Sequence, residues 1–202
     1  RLEQARKLIS ETAYSTPEER IQLAIAEAGL LRDANQTQAA FTMLDQMLST
    51  QPDQPELLYE TALLAEKLGQ MDILERRLRK LIELRPDSAQ AYNALGYSFA
   101  ERNMRLPEAK ELIDKALKLA PEDHYIIDSL GWVLYRQGEF GAALVQLERA
   151  YALRPDPEVA VHLSEVLLAL GRKDDAQRVL HEALKKFPAN AQLVEAIKKF
   201  SP

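Results

Sequence analysis

Three histidines, His124, His162 and His181, are the first residues to weigh for metal or acid–base chemistry. They lie far apart, and no pair has the i, i+4 spacing beside a carboxylate that a zinc site needs. His162 with Glu165 comes nearest to a constellation, and it reads as a solvated i, i+3 pair. Cysteine is absent, which removes thiolate ligands, thiol nucleophiles and disulfides together. There is no phosphate-cradling glycine loop and no G-x-S-x-G turn. Carboxylates are abundant, as solvated helices require, but nothing marks a pocket that would raise the pKa of one of them. The expectation is a non-enzymatic chain with no metal site and no cofactor.

Charge narrows the partners. The net charge is −5, and a nucleic-acid binder needs a basic face to displace counterions. The densest basic cluster, Arg76, Arg77, Arg79 and Lys80, has Glu75 and Glu83 beside it and reads as a solvated helix face. No apolar run approaches the roughly 18 residues of a membrane span. The sequence opens at Arg1, without Met, inside a helical pattern. It therefore reads as part of a longer protein, whose upstream portion would hold any targeting signal.

The elements that must position any site are helices. Apolar residues make up 47% and charged residues 28% of the chain, and its segments are rich in Ala, Leu, Glu, Arg, Lys and Gln, which lose little on entering a helix. No run alternates as a half-buried strand would. Prolines recur at Pro17, Pro52, Pro86, Pro121, Pro155 and Pro188, at intervals of 33 to 35 residues. About 17 residues before each proline after the first stands Asn35, Gly69, Asn103, Gly138 or Gly171, residue types that tolerate the left-handed conformation ending a helix. Each period is thus a first helix, a turn, a second helix and a proline stop. Small residues Ala28, Ala62, Gly96, Gly131 and Ser164 mark the close approach on the first helices. Ala40, Ala109, Ala143 and Ala176, with Leu44, Leu78, Ile113, Leu147 and Leu180, form the apolar stripe of the second.

The segments NALGYSFAERN and SLGWVLYRQGEFGAALVQLERAYALRP resemble the tetratricopeptide consensus, and the resemblance runs along nearly the whole chain. It implies an all-α, right-handed superhelical solenoid of antiparallel helix pairs. Residues 1–20 read as the second helix of a truncated preceding unit. Five units follow at 21–54, 55–88, 89–123, 124–156 and 157–190, with 191–202 as a closing helix. Three departures are local. Ala24 and Ala160 replace a bulkier residue, Leu74 stands where a small one is usual, and an extra residue near Met104–Pro107 lengthens the third turn.

In this family the first helices line a concave groove that holds a partner polypeptide. The resemblance places Tyr59, Leu63, Asn93, Tyr97, Tyr125, Asp128, Trp132, Tyr135, Arg136, His162 and Glu165 on that face. The single Trp and four of the seven Tyr fall there, and such rings give contact area at little entropic cost. Tyr125 is as well suited to packing between units, and Asn93 and Asp128 to solvated or capping roles. The lysine–asparagine clamp of chaperone-tail receptors is missing, its places being held by Ile25, Gly29, Glu60, Gln90 and Ser129. The acidic residues Glu56, Glu60, Glu66, Glu101 and Glu165 favour a ligand with positive charge. Longer segments, including YALRPDPEVAVHLSEVLLALGRKDDAQRVL, are similar to the C-terminal part of large Gram-negative tetratricopeptide proteins. Some of those are lipoproteins of the outer membrane that face the periplasm, and one group brings substrates to a carboxy-terminal processing protease. That similarity implies an adaptor with a protein or peptide ligand, located in the periplasm. A repeat tail of a protease or transferase, or a pilus or envelope assembly scaffold, are the alternatives.

Overall fold

The computed structural model describes residues 2–13 and 16–200. The outermost residues of the expected 1–20 and 191–202 segments, and positions 14 and 15, lie outside the described residues. Twelve helices are present and no strand is found among the described residues. They are α1 (Leu2–Glu11), α2 (Pro17–Asp33), α3 (Thr37–Thr50), α4 (Pro55–Lys67), α5 (Met71–Leu84), α6 (Ala89–Glu101), α7 (Leu106–Leu119), α8 (His124–Arg136), α9 (Phe140–Leu153), α10 (Pro157–Ala169), α11 (Lys173–Lys186) and α12 (Ala191–Phe200). The all-helical paired architecture is the one the periodicity implied. The helices group into two compact units, residues 1–95 and 96–202, with the break inside α6. α2 already begins at Pro17, so the first pair starts earlier than the proposed boundary at residue 21.

Helix starts follow capping chemistry. Thr16 accepts from the Glu19 N–H at 3.1 Å and Pro17 fills the first turn, where no N–H is needed. Asp123 accepts from Tyr125 N–H at 2.9 Å, and Asp156 from Glu158 N–H at 2.9 Å. Helix ends follow the turn residues. Asn35, Gly69, Asn103, Gly138 and Gly171 all have positive φ, between 54° and 81°. In each of the five turns the N–H one residue later reaches back to a helix carbonyl, from Gln36 to Leu31 and from Glu139 to Leu134, for example, at 2.8 and 2.9 Å. That bond satisfies a carbonyl the helix would otherwise orphan. The third turn is the longer one, as its extra residue required. Arg105 occupies it in a left-handed conformation, φ 44°, with its guanidinium 4.0 Å from the Phe99 ring centre.

In residues 1–95, α2 packs on α3 and α4 on α5, and Leu44, Leu57, Leu74 and Leu78 are fully enclosed. Leu74, the departure from a small residue, is accommodated without exposure. The basic cluster needs correction. Arg77 is buried, pairs with Asp45 of α3 and lies 4.9 Å from the Phe41 ring centre, so it is not on a solvated face. Lys80 pairs with Asp53 at 2.6 Å and Arg79 with Glu75 at 2.8 Å.

In residues 96–202, α8 packs on α9 and α10 on α11, with α12 closing against both α10 and α11. Leu180, Ala183 and Leu193 share a core with Ala160, which is fully buried there. At Gly131 the backbones of α8 and α9 approach so closely that a Cβ would stand 2.5 Å from Leu147 Cγ and 3.3 Å from the Ala143 carbonyl oxygen. Gly29 in α2 has nothing within 4 Å of the same position. Gly131→Ala is therefore expected to cost about 1–3 kcal/mol through overpacking, despite better helix propensity. Gly29→Ala is expected to gain about 0.5–1 kcal/mol. Urea denaturation of the two variants checks the opposite signs.

Candidate cleft on the first helices

Within residues 96–202 the helices α6, α8, α10 and α12 enclose a cleft of about 290 Å³. Helical spacing puts Tyr97 and Glu101 one turn apart on α6. It sets Glu158, Val161, His162 and Glu165 along one face of α10 over two turns. Trp132 enters from α8, and Gln192, Glu195 and Lys199 from α12. The cleft thus gathers four of the residues anticipated for the groove: Tyr97, Trp132, His162 and Glu165.

The wall is a bonded stack. Trp132 lies against His162, ring centres 4.1 Å apart and planes within 18°, and Tyr135 stacks on Trp132 at 5.0 Å. Trp132 Nε1 donates to Glu101 Oε2 at 2.8 Å. The Tyr97 hydroxyl donates to Glu158 Oε1 at 2.8 Å. Burial first, then Glu158, Glu101 and Asp128, push that hydroxyl well above the ordinary tyrosine range, so it remains a donor. Arg136 donates to the Ala100 and Glu101 carbonyl oxygens at 3.1 and 2.9 Å and sits 5.5 Å from the Trp132 ring centre.

Behind the wall, His162 Nδ1 contacts both oxygens of Asp128 at 3.0 and 3.1 Å. This corrects two readings. His162 is not a solvated partner of Glu165, and Asp128 is neither solvated nor a cap. They are 6% and 4% exposed. Burial pulls the His162 pKa down, but Asp128, with Glu158 and Glu101, outweighs it and holds the ring protonated above its ordinary range.

The other anticipated residues are elsewhere. Tyr125 is 47% exposed, with its ring against His124. Tyr59, Leu63 and Asn93 belong to residues 1–95, each half-buried. Tyr59 lines a separate cleft of about 420 Å³ with Gln22, Ile25, Glu56 and Glu60. Burial raises the Glu60 carboxyl pKa, with Arg32 opposing. Asn93 Oδ1 is buried without a hydrogen-bond partner among the described residues. Sequence reasoning missed Glu158 and the α12 residues. Glu158 is 61 positions from the tyrosine it holds, and only the repeat register, extended into the closing helix, could have pointed to Gln192 and Glu195.

A run of paired helices joined by left-handed turns, with its ring-bearing first helices around an open cleft, defines a repeat-built binding module. Family models of the tetratricopeptide repeat match residues 75–124, 100–160 and 134–199. The chain belongs to the tetratricopeptide repeat family. It is 41% identical over 165 residues to the TPR repeat-containing protein PA4667 of Pseudomonas aeruginosa, an alignment covering 82% of this chain and 28% of that protein. The chain thus spans little more than a quarter of that relative's length. Among solved structures it is similar to TTC0263, a thermophilic TPR protein of Thermus thermophilus, with TM-score 0.81, 25% identity and coverage of 89% and 98% of the two chains. It shares the fold of PilW, a type IV pilus biogenesis factor, with TM-score 0.75, 19% identity and coverage of 92% and 91%. Members of this family generally serve as non-catalytic scaffolds for other proteins, and no described helix is long and apolar enough to cross a membrane.

Proposed function

We propose that this chain is an adaptor module that holds a segment of a partner polypeptide against the α6–α8–α10–α12 cleft. The observation that carries the proposal is the wall itself. Tyr97, Trp132 and His162 are each fixed by a carboxylate, so the surface offered to a ligand is preorganised and little rotamer freedom is lost on docking. The partner class rests on the resemblance of segments such as YALRPDPEVAVHLSEVLLALGRKDDAQRVL to the C-terminal part of large Gram-negative tetratricopeptide proteins, one group of which are protease adaptors. In this reading the module works in the periplasm, held to the outer membrane through a lipid anchor elsewhere in the protein. There it brings substrates to a carboxy-terminal processing protease.

Photocrosslinking tests this in cells. A photoreactive residue at Glu165, on the rim of the cleft, is compared with one at Val145, an exposed position on α9. The expected result is crosslinks to the protease or its substrates from Glu165 only. Pilus subunits in their place would make the module an assembly scaffold. Equal capture from both positions would move the interface off the cleft.

A further inference from the structure

The cleft holds a charge surplus that its own hydrogen bonds do not cancel. Glu101 and Glu158 each use one oxygen on a neutral ring donor, the Trp132 indole and the Tyr97 hydroxyl. A neutral donor orients a carboxylate without removing its charge, and the second oxygen of each has no partner among the described residues. Glu165 and Glu195 add two more carboxylates to the lining. Against these stand Lys199, 3.4 Å from Glu165, and the His162 ring, itself balanced by Asp128 behind it. Arg136 is committed to backbone carbonyls beside Trp132. The balance at the cleft is anionic even with His162 protonated.

A second, independent feature lies in the same lining. His162 is 6% exposed, and its Nδ1 is taken by Asp128. Its Nε2 has no partner among the described residues, although the side chain lines the cleft. That nitrogen is not among the buried polar atoms left without a partner, so it meets solvent in the cleft, where an incoming carbonyl oxygen can take the place of water. An acceptor and a cation can therefore be accommodated together within one small, anionic space.

We infer that the cleft takes a lysine or arginine side chain of the partner segment, with that residue's backbone carbonyl accepting from His162 Nε2. The inference rests on the docking reading above and adds the chemistry of the residue that is docked. It predicts a partner segment with a basic residue at its anchor and binding that weakens as salt rises.

The single Trp of the chain supplies one indole N–H signal, that of Trp132, inside the cleft wall. The 202-residue chain is titrated by 1H–15N NMR with Nα-acetyl-arginine amide, Nα-acetyl-lysine amide, glycinamide and Nα-acetyl-citrulline amide. A saturable shift of the indole signal with the arginine or lysine amide is expected, with citrulline at least about fivefold weaker because it keeps the shape and loses the charge. Glu165→Gln combined with Glu195→Gln, both on the rim, should weaken the cationic amides by about fivefold and leave the citrulline response unchanged. Equal response to citrulline, no saturable shift with either cation, or binding of glycinamide alone would overturn the inference. Polypeptide crosslinks at Glu165 alongside any of those outcomes would leave the docking reading standing and remove only the cationic anchor.

Discussion

Replacing Asp128 with alanine is expected to destabilise residues 96–202 by about 3 kcal/mol at pH 5.5. The variant strips a buried imidazolium of the carboxylate that holds it from 3.0 and 3.1 Å. The penalty should shrink as pH rises, because the ring escapes by giving up its proton. The same linkage shapes the wild type. The His162 pKa is raised in the folded chain, so its contribution to stability is present in full below its unfolded value of 6.5. It is lost as pH rises through the higher folded value. His162→Gln lacks the titrating group, and the wild-type minus variant difference in unfolding free energy should fall as pH rises above 6.5. Trp132 fluorescence during urea unfolding reads this unit directly. A difference that stays flat with pH, or an Asp128→Ala cost under about 0.5 kcal/mol, as a solvated carboxylate would give, would contradict the buried ion pair.

Trp132→Ala should cost about 3–5 kcal/mol, the range for emptying an aromatic site in a packed interior. Trp132 is 5% exposed and stacks against both His162 and Tyr135. Its loss leaves a cavity and also frees the Glu101 carboxylate that accepted from the indole. Trp132→Phe keeps much of the stacking and forfeits the hydrogen bond, so about 1 kcal/mol of destabilisation beyond the smaller ring is expected. Thermal unfolding followed by circular dichroism separates the two. A ring expected in the groove as an open contact is a structural wall, and its truncation would confound affinity with folding. Tyr97, Glu165 and Glu195, which are less buried, are the residues through which binding can be varied.

The contrast between Trp132 and Tyr125 shows how far the periodic sequence could be read. Both fall on the face that the family register assigns to the groove. One is enclosed and the other is 47% exposed against its own neighbour His124. Register fixes the direction in which a side chain leaves its helix. It does not fix what the next helix brings to meet it. Arg77 makes the same point, since nothing near it in sequence announces Asp45 or the Phe41 ring.

What the sequence determined alone was local and periodic. The five left-handed turn residues, the proline intervals and the small residues at close approaches dictate paired helices, because each acts through the backbone within a few residues of itself. Gly131 and Leu147, the small and large positions of one helix pair, meet as that pattern requires. What the tertiary structure alone decided was the site. Asp128 with His162, Trp132 with Glu101 and Tyr97 with Glu158 join residues 34, 31 and 61 positions apart. Such pairings depend on how successive helices stack and on which polar groups lose water when they do. Desolvation and charge pairing are both properties of the assembled interface: there Asp128 outweighs the burial of His162 and holds its pKa up, and four carboxylates line one open cleft.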